Sequence, residues 1–409
     1  MVELKRSRSV LVVESLAHLT YSHFPKTFAE LSEAIERAGI PVAVLTSRGW
    51  SRQDENDAPR LDIRRYRLLP QVVNEVAIAL RPSPRLKGAN GDPRVLQTKA
   101  ARWVRGVRGL VSSSAVVIAV RQTLKEEAWS DAEVISVSTD LDPRFAMLFG
   151  GDGRWLVTCF REPDLHWPTG LNSIAQRREA LRRGRGGGVI ISAASVSIRD
   201  EWREELPTAQ SEALPLPGAR DARVVPDART ALGLDSDWPV ALLFGSHEKE
   251  RDYATVLDAL KMAEPWHLLV GGQLTENLVI PDEPWARERV HVFPGRASYE
   301  MRDLLYSASD LVILSFTRGH DRHSGTLMDA VSYGIPVACS SDCEPCRIMQ
   351  EFEVGTQFEA ADPHDLARVL MSGPPEISPQ TWAFARQELS NEAVAAKLLA
   401  VLGGMRAHA

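Results

Sequence analysis

Cysteine is scarce, charge is nearly balanced, and long apolar runs are missing. Four cysteines in 409 residues are too few to staple a fold of this size with disulfides. That scarcity points to a reducing, intracellular compartment. No run of about 18 uncharged apolar residues occurs, which argues against a membrane-spanning helix. The opening stretch MVELKRSRSVLVVES is basic, but its apolar run is about four residues where a signal peptide needs roughly 7–15. The expected location is therefore cytoplasmic. A net charge of −6 gives no reason to expect a nucleic-acid partner. What is present is ordinary for a folded chain: 44% hydrophobic and 25% charged residues. Disordered, collagen-like and low-complexity classes are excluded. The length suggests two or three domains of about 150 residues each.

Strand and helix signals alternate along the chain. Val10–Glu14 reads as a strand, and Lys26–Ala38 as a helix with Phe28, Leu31 and Ile35 at helical spacing. Gly39 ends it, and Val42–Leu45 is the next strand. Glu133–Val137, Leu156–Cys159 and Val189–Ile191 continue the series. This predicts a parallel α/β domain over residues 1–217. The linker Leu214–Gly218 (LPLPG) breaks any regular element. Beyond it, strands are expected at Val240–Phe244, His267–Val270, Val290–Phe293, Leu311–Leu314 and Pro336–Cys339. Helices are expected at Tyr253–Glu264, Tyr299–Ala308, Ser324–Tyr333 and Pro363–Met371. A second doubly wound domain therefore covers residues 218–378, with its ligand expected at the carboxyl ends of the strands. In residues 379–409, Thr381–Leu402 reads as one long amphipathic helix that packs back toward the first domain.

The stretch Leu311–Ala338 is the most informative. It runs strand, polar loop, helix opening at Ser324-Gly325, strand. A helix N-terminus presents unpaired N–H groups and a positive dipole end, a natural anion site. Gly325 lets a ligand approach the backbone closely. Arg318, His320, Arg322 and His323 crowd the same loop, and Asp321 and Asp329 lie eight residues apart. Together these groups can hold a diphosphate and the hydroxyls of a sugar.

This pattern resembles the C-terminal domain of retaining, family-4-like glycosyltransferases of the GT-B fold. That family carries an acid, seven residues, a second acid and Ala, then a Gly-x-Pro-Val strand. Here these are Asp321, Asp329, Ala330 and Gly334-Ile335-Pro336-Val337. The family usually has Glu at both acids, and Asp is one methylene shorter. Val240–Tyr253 resembles the family's first strand of that domain, with Gly245 at its glycine. Arg251, or else Lys249, stands at the basic residue that grips the diphosphate. Gly271-Gly272 and the run ending at Gly295 match as well, the latter beside the nucleobase. The resemblance implies an α/β architecture of two doubly wound, Rossmann-like domains facing a central cleft. It implies a glycosyltransferase with a nucleotide-diphosphate-sugar donor, retention, and no cofactor or metal. Asp321 would contact the donor sugar and Asp329 the ribose, with His323, Ser324, Gly325 and Thr326 lining the donor site. Lys249 and Arg251 would stabilise the leaving diphosphate. A nucleotide-sugar epimerase and a non-catalytic binding protein on the same fold are the alternatives.

The resemblance covers residues 225–372 and is weak in the N-terminal half. The family's glycine-rich loop after the first strand is absent there. Ser15–Pro25 replaces it, with Tyr21 and His23 as acceptor-side candidates. Residues 81–108 hold eight Lys/Arg against Asp92 alone, with Trp103 among Arg102, Arg105 and Arg108. Such a segment can contact an anionic membrane surface, here the inner membrane face. Arg177–Arg185 is a shorter basic run, expected at the surface. Cys339, Cys343 and Cys346 form C-x3-C-x2-C. That spacing is known from iron–sulfur enzymes, but Cys339 ends the Pro-Val strand of the motif above; zinc would need a fourth ligand and none is evident, so reduced structural thiols are expected. The Arg- and Ala-rich composition suggests a GC-rich bacterial source. The acceptor and the oligomeric state are not legible.

Overall fold

Short β-branched runs cannot pair with a close neighbour in a two-residue hairpin when a helix separates each from the next. In the computed structural model every such run joins one of two wholly parallel sheets. The structure describes residues 9–14, 24–47, 62–66, 113, 116–126, 129–137, 141–151, 153–159, 169–185, 187–214, 222–246, 250–273, 278–295 and 297–404. The chain divides into two compact units, Met1–Leu214 with Ala395–Ala409, and Pro215–Val394. No helix among the described residues is long and apolar enough to cross a membrane.

In the first unit the strands are β1 (Val10–Glu14), β2 (Val42–Ser47), β3 (Asp62–Tyr66), β4 (Glu133–Ser136), β5 (Arg154–Cys159), β6 (Gly188–Ala193) and β7 (Gln210–Ala213), in the order β3-β2-β1-β4-β5-β6-β7. Val12 lies opposite Val44 on one side and Ile135 on the other. Both faces of a parallel sheet are covered, so the central strands are apolar throughout. Val12, Ile135, Leu156 and Ile190 are all fully buried, each contributing roughly 1.5–3 kcal/mol. Helix α1 (Phe24–Arg37) joins β1 to β2. The edge strands β3 and β7 read DIRRY and QSEA. The sequence reading missed both, because an edge strand needs fewer apolar residues and charge there discourages further pairing.

Two buried arginines tie this unit together. Arg144 lies in the first turn of α2 (Pro143–Phe149), is wholly buried, and pairs with Asp142 at 2.7 Å and Glu205 at 3.0 Å. Arg177, Arg178 and Arg185 are exposed, as expected for the run Arg177–Arg185, but Arg182 is a correction to that expectation. It lies near the end of α3 (Thr169–Arg183) and is buried, donating to the Ala146 carbonyl at 2.7 Å and the Gly153 carbonyl at 2.8 Å. Helix α4 (Val196–Glu205) supplies Glu205.

In the second unit the strands are β8 (Val240–Ser246), β9 (His267–Gln273), β10 (Val290–Pro294), β11 (Leu311–Leu314), β12 (Val337–Ser340) and β13 (Gly355–Phe358), in the order β10-β9-β8-β11-β12-β13. The chain reverses direction of growth between β10 and β11, so β8 and β11 meet at the switch point where doubly wound sheets bind ligands. The helices are α5 (Ala228–Ala231), α6 (Tyr253–Met262), α7 (Pro284–Arg289), α8 (Tyr299–Ser307), α9 (Gly325–Tyr333), α10 (Glu344–Glu351), α11 (Pro363–Met371) and α12 (Pro379–Glu388), followed by α13 (Asn391–Gly404), which belongs to the first unit from Ala395 onward. The last two correct the single helix expected over Thr381–Leu402. Ser390 interrupts it, because its hydroxyl accepts the Ala393 amide at 3.1 Å and so starts a new helix.

Candidate functional site

Three glycines end three adjacent strands of the second unit. Gly245 on β8 lies opposite Gly272 on β9, and the Gly295 amide, just past β10, donates to the Gly272 carbonyl at 3.2 Å. Gly272 has φ of +112°, and a Cβ there would stand 2.2 Å from the Gly245 carbonyl oxygen. No other residue fits. Gly245, at φ +115°, is nearly as constrained: its Cβ would lie 3.2 Å from Thr326 Oγ1 and 3.8 Å from Arg251 Nη2. This marks the point where the strand end, the first turn of α9 and Arg251 converge.

Helix α9 is anchored by short polar contacts. Ser324 is its N-cap and accepts the Leu327 amide at 3.3 Å. The Thr326 hydroxyl donates to the Phe244 carbonyl at 3.2 Å, which fixes the helix start to the end of β8. Gly325 has open space where a side chain would be. Among the described residues no atom lies within 4 Å of that position, so the first turn of α9 leaves room beside its free amides.

Arg251 is positioned by its backbone. Residues 250–252 zip against 315–317: Arg251 bridges Phe316, Thr317 donates to the Glu250 carbonyl at 2.9 Å, and Asp252 donates to the Ser315 carbonyl at 3.1 Å. The guanidinium carbon sits 4.2 Å from the centre of the Phe316 ring. Nη2 donates to the Phe244 carbonyl over a long 3.4 Å, and Nη1 is buried with no hydrogen-bond partner. Burial lowers the Arg251 pKa below its ordinary value, yet an arginine remains cationic. A buried, unsatisfied charged donor costs about 1–3 kcal/mol or more. An anion at the glycine ends of β8 and β9 would satisfy it.

The other cations of this region are already paired. Arg322 binds Glu250 at 3.0 Å, and Arg318 binds Asp342 at 2.7 Å and also Glu359. His320 stacks on the Phe316 ring at 4.1 Å. Its pKa is lowered to about 4 by burial, with Arg322 and Arg251 adding to the effect. His323 lies 3.7 Å from Glu344, but burial and then Arg347 lower its pKa to about 4. The imidazole is therefore neutral, and the Glu344 charge is met by Arg347 at 2.7 Å. Asp321 is half-buried, and none of the described hydrogen bonds or ion pairs engages its carboxylate. Asp329 is half-buried on α9 and pairs with Arg302 at 3.2 Å.

The structure thus gathers Gly245, Arg251 and Thr326 at one point. Gly272 and Gly295 continue that row of strand ends, and Ser324 and Gly325 start the helix beside it. Lys249, Tyr21, His23 and the 81–108 segment lie outside the described residues. Sequence reasoning missed Phe316, Glu250, Arg302 and Tyr306. Arg302 is buried on α8, with Nε and Nη2 unpartnered. Tyr306 stacks on Tyr333 at 4.8 Å, and its hydroxyl is buried without a partner. Burial, followed by the Asp329 charge, pushes that phenol well above its ordinary pKa. The adjacent charges Arg302 and Asp303 ahead of the apolar stretch Leu304–Tyr306 were the one signal that pointed to Arg302.

Comparison with known proteins adds three findings. Residues 224–372 match the family model described as Glycosyl transferases group 1. No curated protein matches the chain in sequence. Solved structures match over nearly the whole length at low identity. Sucrose-phosphate synthase from Thermosynechococcus elongatus has a TM-score of 0.59 and 14% identity, covering 98% of this chain and 100% of its own. HepE of Anabaena in complex with UDP has a TM-score of 0.60 and 12% identity, covering 97% and 100%. WaaG, a glycosyltransferase involved in lipopolysaccharide biosynthesis, has a TM-score of 0.56 and 16% identity, covering 97% and 100%. At these identities the likeness is one of fold.

Proposed function

We propose that the protein moves a sugar from a nucleotide-diphosphate sugar to an acceptor, a reading supported by the match of residues 224–372 to the glycosyl transferases group 1 family model and by the GT-B fold of the chain. The diphosphate sits at the carboxyl ends of β8 and β9, where Gly245 and Gly272 admit it. Arg251 Nη1 and the first-turn amides of α9 meet its oxygens. As the glycosidic bond to the donor breaks, negative charge grows on the leaving diphosphate. A fixed guanidinium and a helix N-terminus stabilise that charge without reorganising. Metal is not required for this step, since the cation is built into the chain.

Asp321, free of partners, orients the donor sugar through its hydroxyls. Asp329 serves the ribose while Arg302 holds its carboxylate in place. His323, Ser324 and Thr326 line the site, and Gly295 lies beside the base. The product keeps the donor's anomeric configuration. The first unit takes the acceptor, with Tyr21 and His23 as its candidate contacts and Lys249 as a second cation on the donor side. The observation that carries this reading is the buried, half-satisfied Arg251 at the glycine ends of two central strands. HepE, a protein of the same fold, is complexed with UDP, which supports a nucleoside diphosphate as the leaving group.

The test is a panel of UDP-, GDP-, ADP-, TDP- and CDP-sugars, scored for release of nucleoside diphosphate with candidate acceptors and with chelator present. Release from one donor class, lowered by about 10²-fold or more in Arg251→Ala, is expected. Conversion of a sugar nucleotide with no acceptor would favour an epimerase. Binding without turnover by any donor would favour a non-catalytic protein.

A further inference from the structure

Three of the four cysteines fall within eight residues, and the proposed function uses none of them. Cys339, Cys343 and Cys346 are reduced and buried. Among the described residues, no three His, Cys, Asp or Glu side chains are arranged to hold a metal ion. The thiols instead pack on one another, with Cys339 Sγ 3.7 Å from Cys343 Sγ. A disulfide bond is about 2.05 Å long, so closure needs an approach of roughly 1.7 Å.

The two partners differ in freedom. Cys339 is locked in β12, paired to Leu314 of β11 and Gln357 of β13. Cys343 lies outside the sheet as the N-cap of α10. Its thiol donates to the Ser340 carbonyl at 3.1 Å. The Cys339 thiol, opposed by burial and assisted by the Cys346 amide, holds the Cys343 thiol below its ordinary pKa. Burial and the two neighbouring thiols raise Cys339 well above its own. Cys343, at a helix N-terminus, is thus the more nucleophilic of the pair.

Cys343 is also wired to the loop in front of it. It bridges His320, Glu344 donates to the His320 carbonyl at 2.8 Å, and Gly319 donates to the Asp342 carbonyl at 2.8 Å. Ser340 Oγ accepts the Phe316 amide at 2.8 Å and donates to the Phe316 carbonyl at 3.0 Å. Phe316 carries Arg251 and His320 on its ring, and Asp321 follows directly. Any displacement of Cys343 toward the fixed Cys339 pulls on this loop.

We propose that Cys339 and Cys343 are a redox modification site, oxidised by a hydroperoxide to a disulfide that displaces the loop of residues 316–324. The Cys343 thiolate attacks a peroxide oxygen and becomes a sulfenic acid as the O–O bond breaks, releasing an alcohol or water. The Cys339 thiol then attacks the Cys343 sulfur, loses its proton and expels hydroxide, so that the second product is water. Two thiols lose two electrons and the peroxide gains them. Because this loop carries Asp321 and Ser324, oxidation is also expected to weaken donor binding, a consequence that rests on the function proposed above; the thiol chemistry and the loop response do not.

The experiment uses the full chain, fully reduced and then treated with hydrogen peroxide. Remaining thiols are alkylated, linked peptides are mapped by mass, and hydrogen exchange is followed in residues 316–324. The expected result is loss of two hydrogens, a Cys339–Cys343 link, Cys159 still alkylated, and faster exchange of the loop amides, all reversed by dithiothreitol. Cys339→Ser and Cys343→Ser should each abolish the link and the exchange change, while Cys346→Ser keeps both. A link through Cys346, a Cys343 sulfinic acid with no link, a link without change in loop exchange, or stoichiometric zinc or iron in the purified protein would each overturn the proposal. If the link and the exchange change appear while UDP, GDP, ADP, TDP and CDP bind neither form, the modification site stands and the proposed donor site falls.

Discussion

Two buried arginines, one in each unit, are held in opposite ways. Arg144 in the first unit has two carboxylates within 3.0 Å, and its ring contact is with Trp202 at 5.5 Å. Arg251 in the second has no carboxylate. It has one long bond to a carbonyl, the face of Phe316, and a buried Nη1 with nothing to bind. Desolvating a guanidinium is costly unless its donors are met. In the first unit the chain itself meets them, so the charge serves the fold. In the second the deficit is left at the strand ends of a doubly wound sheet, where a ligand would arrive. The contrast separates an arginine that holds structure from one that awaits an anion.

Substitutions should break this contrast cleanly. Arg144→Ala leaves Asp142 and Glu205 facing each other without a cation, and should destabilise the first unit by about 3–5 kcal/mol in urea unfolding. Arg251→Ala should lower turnover by about 10²-fold or more, the scale of losing one transition-state donor, while thermal stability holds or rises. Gly272→Ala forces a Cβ against the Gly245 carbonyl at positive φ. The backbone conformation alone costs roughly 1–3 kcal/mol, and donor binding should be lost with it. Arg322→Ala removes a half-exposed pair with Glu250 and should change stability by less than about 1 kcal/mol.

Acid should act on the second unit in a defined window. His267, His320 and His323 each have a pKa lowered from 6.5 to about 4, with burial as the first cause. Between those values the unfolded chain binds more protons than the folded one. The stability these neutral imidazoles contribute is therefore complete above about pH 6.5 and lost as pH falls toward 4. Urea midpoints at pH 7.5 and 5.0 measure the loss, and His323→Asn should shrink it.

How legible this was depended on whether the relevant partner was near in sequence. Central strands such as Val10–Glu14 and Leu311–Leu314 declare themselves through unbroken apolar runs. The edge strands Asp62–Tyr66 and Gln210–Ala213 do not, and neither does β13, which reads GTQF. The glycine-ended strands and the Ser324-Gly325 helix start were readable, because each is a local feature. That Arg322 pairs with Glu250 across 72 residues, or Arg302 with Asp329 across 27, is set by strand order and could not be read locally. The cysteines were expected as reduced thiols and are found so, but that the fold turns Cys339 and Cys343 toward each other was not readable from their spacing. Ser390 was a visible cap inside what looked like one helix, and only its bond to Ala393 shows that it divides two.

The most direct test is binding of UDP, GDP, ADP, TDP and CDP to wild type and to Arg251→Ala, read by thermal shift with and without magnesium. A diphosphate at 100 times its dissociation constant should add about 2.7 kcal/mol of stability. One diphosphate is expected to stabilise the wild type in the presence of chelator, with most of the shift lost in Arg251→Ala. Equal stabilisation of both proteins, or none of either by any of the five, would contradict this expectation.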